Sequence, residues 1–100
     1  AAAQGTDGVN AAMAYGTDGS LSALGLVRLG DPRGVQPVYE PVPVIRGEIY
    51  ETYPEIEDIL APCFLTLDLE TLQTLNAKIA LEGQDARDVA RDYLTSKGFL

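Results

Sequence analysis

The chain has 100 residues, so it holds one domain or part of one, long enough to bury roughly two-thirds of its unfolded surface but with little stability to spare. Its formal charge is −8, with five acids against three bases in residues 1–50 and ten against four in 51–100, a surface that repels nucleic-acid phosphates and anionic lipid. No apolar run approaches the ~20 residues of a membrane-spanning helix, and the amino end has neither the basic region nor the apolar core of a signal peptide, which leaves a cytoplasmic chain or one cut from a longer precursor.

Residues 1–4 read as the tail of a helix closed by Gly5, followed by a Thr6-Asp7-Gly8 turn. An opening in mid-helix is what a fragment gives. Residues 9–15 read as a buried strand of small side chains, ended by the turn Gly16-Thr17-Asp18-Gly19. Residues 20–29 form a short helical turn or extended chain leading into a strand over 24–29. After the Gly30-Asp31-Pro32-Arg33-Gly34 turn, residues 35–45 run extended. Pro37, Pro41 and Pro43 each remove a ladder donor there, which assigns this strand to an edge or a crossing.

From Gly47 the apolar period becomes helical. A short helix over 48–53 is expected, then one over 55–60 opened by Pro54, with Ile56, Ile59 and Leu60 on one face and Pro62 as its end. Thr66 is positioned to cap the longest helix, 67–81, whose buried stripe is Leu69, Leu72, Leu75, Ile79 and Ala80, with Gly83 after it. Asp85 caps a last helix that turns Ala86, Val89, Ala90, Tyr93 and Leu94 inward and stops at Gly98. The fold class expected is α/β, with short strands in the first half and about four helices after them.

The chemistry of catalysis has no foothold. The chain lacks histidine, a nucleophile elbow, a phosphate-binding glycine loop, paired cysteines and calcium-loop spacing after Asp18, so neither an enzyme nor a metal or other cofactor is expected. Cys63 reads as a small apolar residue. Carboxylates such as Glu57 and Asp58 or Asp85 and Asp88 sit at helix starts or on exposed faces. What remains is binding. A quaternary ammonium has no N–H to donate, so aromatic faces and oxygens replace its water, each face contributing about 0.5–2 kcal/mol. Tyr50, Tyr53 and Tyr93 lie at helical spacing among apolar neighbours and read as packing residues. Tyr15, before a Gly-bounded turn, and Tyr39, between prolines, stand at loop edges, where ligand contacts concentrate; on position alone, packing and ligand contact are equally good readings of this pair.

A longer series of residues raises the binding reading. Tyr15-Gly16-Thr17-Asp18-Gly19, Gly25-Leu26-Val27-x-Leu29-x-Asp31, Pro37-x-Tyr39, Pro43-Val44-x-Arg46, Tyr53-Pro54-Glu55-Ile56, Leu65-Thr66, Leu75-Asn76 and Val89-Ala90-x-x-x-Leu94 together resemble the carboxyl-terminal part of the substrate-binding proteins of osmoprotectant ABC importers, binders of glycine betaine, choline, carnitine and proline betaine. The resemblance implies a two-lobed, type II periplasmic-binding-protein-like α/β fold holding ligand between lobes in an aromatic cage. It implies a partial fold here, with residues 1–19 a remnant of the second lobe and a hinge strand, and residues 20–100 the carboxyl-terminal portion of the first lobe. Tyr15 and Tyr39 are then cage tyrosines. Asp18 is a cleft or hinge residue, or a side chain that satisfies turn amides, and Arg46 is a structural ion-pair or cap residue.

The resemblance places the protein outside the cytoplasm, periplasmic or membrane-anchored, and implies as partners a quaternary ammonium small molecule, an ABC permease subunit, and the missing amino-terminal part of the same binding protein. Uncovered edges and faces invite self-association instead. The alternative function is an autonomous acidic structural or interaction domain that inherits the scaffold without the ligand.

Overall fold

The computed structural model describes residues 1–37 and 40–100. Among these, two single-turn 3-10 segments (Ala2–Gln4 and Thr6–Gly8) precede five α-helices: α1 (Gly19–Ala23), α2 (Gly47–Thr52), α3 (Ile56–Phe64), α4 (Leu69–Ala80) and α5 (Ala86–Ser96). No strand forms among the described residues, so the expected α/β architecture is corrected to an all-helical one with long extended connections. Residues 9–15, 26–30 and 40–46 lie outside any helix or strand. A ladder needs a second strand to take its N–H and C=O groups, and none lies alongside these segments among the described residues. The prolines at 41 and 43 further thin the donors available to pair.

The helices end where their sequences say they should, with two exceptions. Asp85 accepts from the amides of Arg87 (2.8 Å) and Asp88 (3.4 Å) and starts α5. At its other end Gly98 takes φ 76°, and the Phe99 amide donates to the Leu94 carbonyl while Gly98 donates to Thr95. This is the left-handed glycine stop that satisfies the last carbonyls. The cap of α4 is Asp68 rather than Thr66: Asp68 Oδ1 accepts from the Thr71 amide (2.8 Å), while the Thr66 hydroxyl is spent on the Cys63 carbonyl (2.7 Å) at the end of α3. Pro62, expected to end α3, lies inside it. Only the Asp58 carbonyl loses its helical donor there, and Asp58 is exposed to water, so the last turn survives.

Helix α4 is the hub, with α1 packed on it on one side and α5 on another. Its half-buried positions are Thr71, Leu72, Gln73 and 75–78, while Leu69, Ile79 and Ala80 are exposed, so the buried stripe is rotated from the apolar one expected. On α5, Val89 is buried and Tyr93 and Leu94 half-buried, but Ala86 and Ala90 face solvent; on α3, Ile59 does the same. The Tyr93 hydroxyl donates to the Thr66 carbonyl (2.9 Å) and lies 2.8 Å from Thr66 Oγ1, tying α5 to the α3–α4 connection. Lys97 Nζ lies 5.7 Å from the Tyr93 ring centroid.

Val89 is the single buried apolar side chain among the described residues. The radius of gyration is 17.0 Å, against about 13 Å for a compact domain of this length. The accessible surface is 8110 Å², against about 5,500 Å² for a folded monomer of 10.7 kDa. The excess, about 2,600 Å², exceeds the ~800 Å² that one partner buries in a standard interface. It includes large apolar side chains on the extended segments, Met13, Val27, Leu29 and Val44, the last 92% exposed.

Candidate functional site

The segment 15–19 is assembled by three sets of hydrogen bonds. The Asp18 amide donates to the Tyr15 carbonyl (3.0 Å), closing a four-residue turn. The Asp18 carboxylate then accepts from the Ser20 amide (2.8 Å), and its carbonyl from the Leu21 amide (3.2 Å), so Asp18 is the cap of α1. These bonds to Ser20 hold the Asp18 carboxyl below its ordinary range. From α4, the Gln73 side-chain amide donates to the Gly16 carbonyl (2.6 Å) and the Asn76 side-chain amide to the Thr17 carbonyl (2.7 Å).

Gly19 fixes the depth of this contact. It is buried, and a Cβ there would press on the backbone of α4, 2.5 Å from Ala77 Cα. Only glycine lets the two backbones approach this closely. The far end of α1 closes on Gly25, at φ 64°, with the Leu26 amide donating to the Leu21 carbonyl (2.8 Å).

The structure places the expected site residues unevenly. Tyr15 is 68% exposed, at the mouth of the anchored turn. The Asp18 side chain is engaged with the Ser20 amide. Tyr39 lies outside the described residues, so its pairing with Tyr15 rests on the sequence pattern. Tyr93 is a half-buried packing residue, whereas Tyr50 and Tyr53 are more exposed than packing residues should be, and Tyr50 donates its hydroxyl to Glu57, which pushes its pKa up. Arg46 caps α2 with its carbonyl, which accepts from Ile49 and Tyr50.

Beside the turn, an open cavity of about 260 Å³ is lined by Thr17, Glu40, Pro41, Phe64, Asp68 and Leu72, among others. Among the described residues it offers two carboxylates and one aromatic ring to a small cation, and Tyr15 is not part of its wall. Asp68 is already committed to the Thr71 amide, which holds its carboxyl low. No cluster of metal-ligating side chains occurs among the described residues, and no helix there is long and apolar enough to cross a membrane.

Gln73 and Asn76 are the neighbours of this turn that apolar patterning does not reveal. Their signal is two amide side chains at i and i+3, on a helix whose neighbouring Leu72 and Leu75 face a partner.

Comparison with known proteins is consistent with this arrangement. Residues 1–96 match the OpuAC family, described as the substrate binding domain of ABC-type glycine betaine transport systems. The chain is 60% identical over 99 residues to the glycine betaine-binding protein YehZ of Escherichia coli K12, covering 99% of this chain and 32% of that protein. It is 37% identical over 78 residues to a glycine-betaine-binding protein of Pseudomonas aeruginosa, covering 78% of this chain and 25% of the relative. The solved structure of apo YehZ from Escherichia coli superposes with a TM-score of 0.85 at 58% identity, over 99% of this chain and 35% of that one. The chain thus spans a quarter to a third of the length of these relatives. With the family model running across nearly all of it, the chain belongs to the OpuAC family of ABC-transporter substrate-binding domains, a family of binders rather than enzymes.

Proposed function

We propose that the chain is part of an extracytoplasmic solute-binding protein that captures glycine betaine, or a similar quaternary ammonium osmolyte such as choline, and delivers it to an ABC permease. The observation that carries this reading is the family match together with an exposed tyrosine on a turn anchored by α4. Capture and release make and break no covalent bond. Tyr15 and Tyr39 contribute ring faces to the ammonium, and Asp18 fixes the turn and adds negative charge beside it. The net charge of −8 favours the approach of a cation. Residues 1–19 enter from the second lobe and residues 20–100 complete the first.

Two ring faces supply about 1–4 kcal/mol, well below the cost of immobilising a ligand, so tight binding requires the part of the relatives that this chain does not match. The excess surface of about 2,600 Å² supports the same conclusion, and it equally favours a second reading in which the chain self-associates. Titration calorimetry with glycine betaine and with choline separates the two. The chain alone should bind no tighter than about 1 mM. YehZ carrying this chain in place of its matched third should bind glycine betaine tightly, and Tyr15→Ala with Tyr39→Ala should weaken that at least tenfold. Heat unchanged by the double substitution sinks the cage assignment, and a stable dimer of the chain by light scattering favours the second reading.

A further inference from the structure

We propose that Gln73 and Asn76 of α4 are positioning residues for ligand binding, setting the height and tilt of the turn that presents Tyr15. The inference rests on Tyr15 being a cage residue. Its basis is geometric. Gln73 Nε2 and Asn76 Nδ2 reach the carbonyls of Gly16 and Thr17 at 2.6 and 2.7 Å, across sequence separations of 57 and 59 residues. Both amides and both residues they hold are half-buried, where an unmade hydrogen bond is costly.

The two anchored carbonyls are consecutive and directly follow Tyr15, while the Asp18 amide returns to the Tyr15 carbonyl. The tyrosine is therefore one residue away from a carbonyl held by a side chain of a helix. Gly19, pressed against the Ala77 backbone, blocks the turn from sinking further toward α4. Upstream, residues 9–14 are exposed and outside any helix or strand, so the anchored turn on its carboxyl side is the regular structure that supports the Tyr15 backbone. A binding group held to within about 0.5 Å by supporting hydrogen bonds keeps its affinity, and loses it when that support loosens.

The test uses YehZ carrying this chain in place of its matched third, with glycine betaine as the titrant. Gln73→Leu and Asn76→Leu remove the donors at similar volume and should each raise Kd about three- to tenfold, the worth of one hydrogen bond. The deciding measurement is a double-mutant cycle with Tyr15→Ala. If the amides act through the tyrosine, each Leu substitution adds less than about twofold once Tyr15 is gone. A full, additive loss in the Tyr15→Ala background overturns the proposal, because it describes a general structural defect. Tyr15→Ala that weakens binding while both Leu variants bind as the parent also overturns it, and leaves the cage reading intact. Tyr15→Ala without effect removes the cage reading and the proposal together.

Asn76→Asp covers the case in which a Leu variant fails to fold. Its carboxylate faces the Thr17 carbonyl without a proton at neutral pH and regains a donor below about pH 4, so its Kd relative to the parent should recover on acidification. No recovery counts against the proposal. In the 100-residue chain by itself, Asn76→Leu should shift the Tyr15 ring resonances by NMR, and unmoved resonances would contradict it without any ligand being involved.

Discussion

Residues 69–96 and residues 26–46 have similar apolar content and opposite fates. The first stretch forms α4 and α5, capped by Asp68 and Asp85 and half-buried against each other. The described residues of the second form no helix or strand before α2, and Val27, Leu29 and Val44 are almost wholly exposed. A helix satisfies its backbone internally, so it forms from local sequence with one face covered. An extended segment must find its hydrogen bonds on another segment, and here the partner is not among the described residues. Among the described residues the self-contained elements therefore form and the dependent ones stay unpaired.

The largest test of that contrast is at Gly19, where α1 joins the helical unit. Gly19→Val forces side-chain atoms into the Ala77 backbone and should cost about 3 kcal/mol, because neither backbone can yield without breaking helical hydrogen bonds. Helicity by circular dichroism should fall only slightly, since α4 and α5 remain, while amide exchange over 15–26 should rise toward that of the extended segments. Unchanged exchange there would mean that α1 does not depend on α4.

The same division explains what could be read in advance. Asp85 and Gly98 act through neighbours within a few residues, and the ends of α5 follow from them. Residues 24–29 and 35–45 read as strand from their own residues, but pairing is a property of two segments, and neither finds a partner among the described residues. Thr66 and Asp68 both have the chemistry of a cap. The choice between them was made by Cys63 and Tyr93, which engage the Thr66 group and leave Asp68 to α4. At the candidate site, the turn 15–19 was visible from Gly16, Asp18 and Gly19. The amides that hold it lie almost sixty residues away, and nothing local marks their target.

Tyr93→Phe probes the next largest effect. It deletes the hydroxyl that ties α5 to the Thr66 region and leaves the ring under Lys97, so the loss is that of a part-buried hydrogen bond, about 1 kcal/mol, measured by urea unfolding. A loss near zero would show that α5 is held by Val89 and Leu94 alone.

The smallest effect is electrostatic and lies at the start of α4. The Thr71 hydrogen bonds hold the Asp68 carboxyl below its ordinary 3.8, with a smaller push in the same direction from Lys97. A carboxyl whose pKa is depressed by folding stabilises the fold above its unfolded value and loses that contribution as pH falls through the folded one. The helical signal of α4 should thus be constant from pH 7 to about 4 and decline below 3.8. Asp18 and Asp31, also held low by local amides, titrate in the same window, so the parent alone does not isolate Asp68. Asp68→Asn does: asparagine caps nearly as well and has no proton to take up, so the difference in stability between variant and parent should shrink on acidification. A difference that stays constant from pH 7 to 2.5 would mean that the charge on Asp68 adds nothing to its role as a hydrogen-bond acceptor.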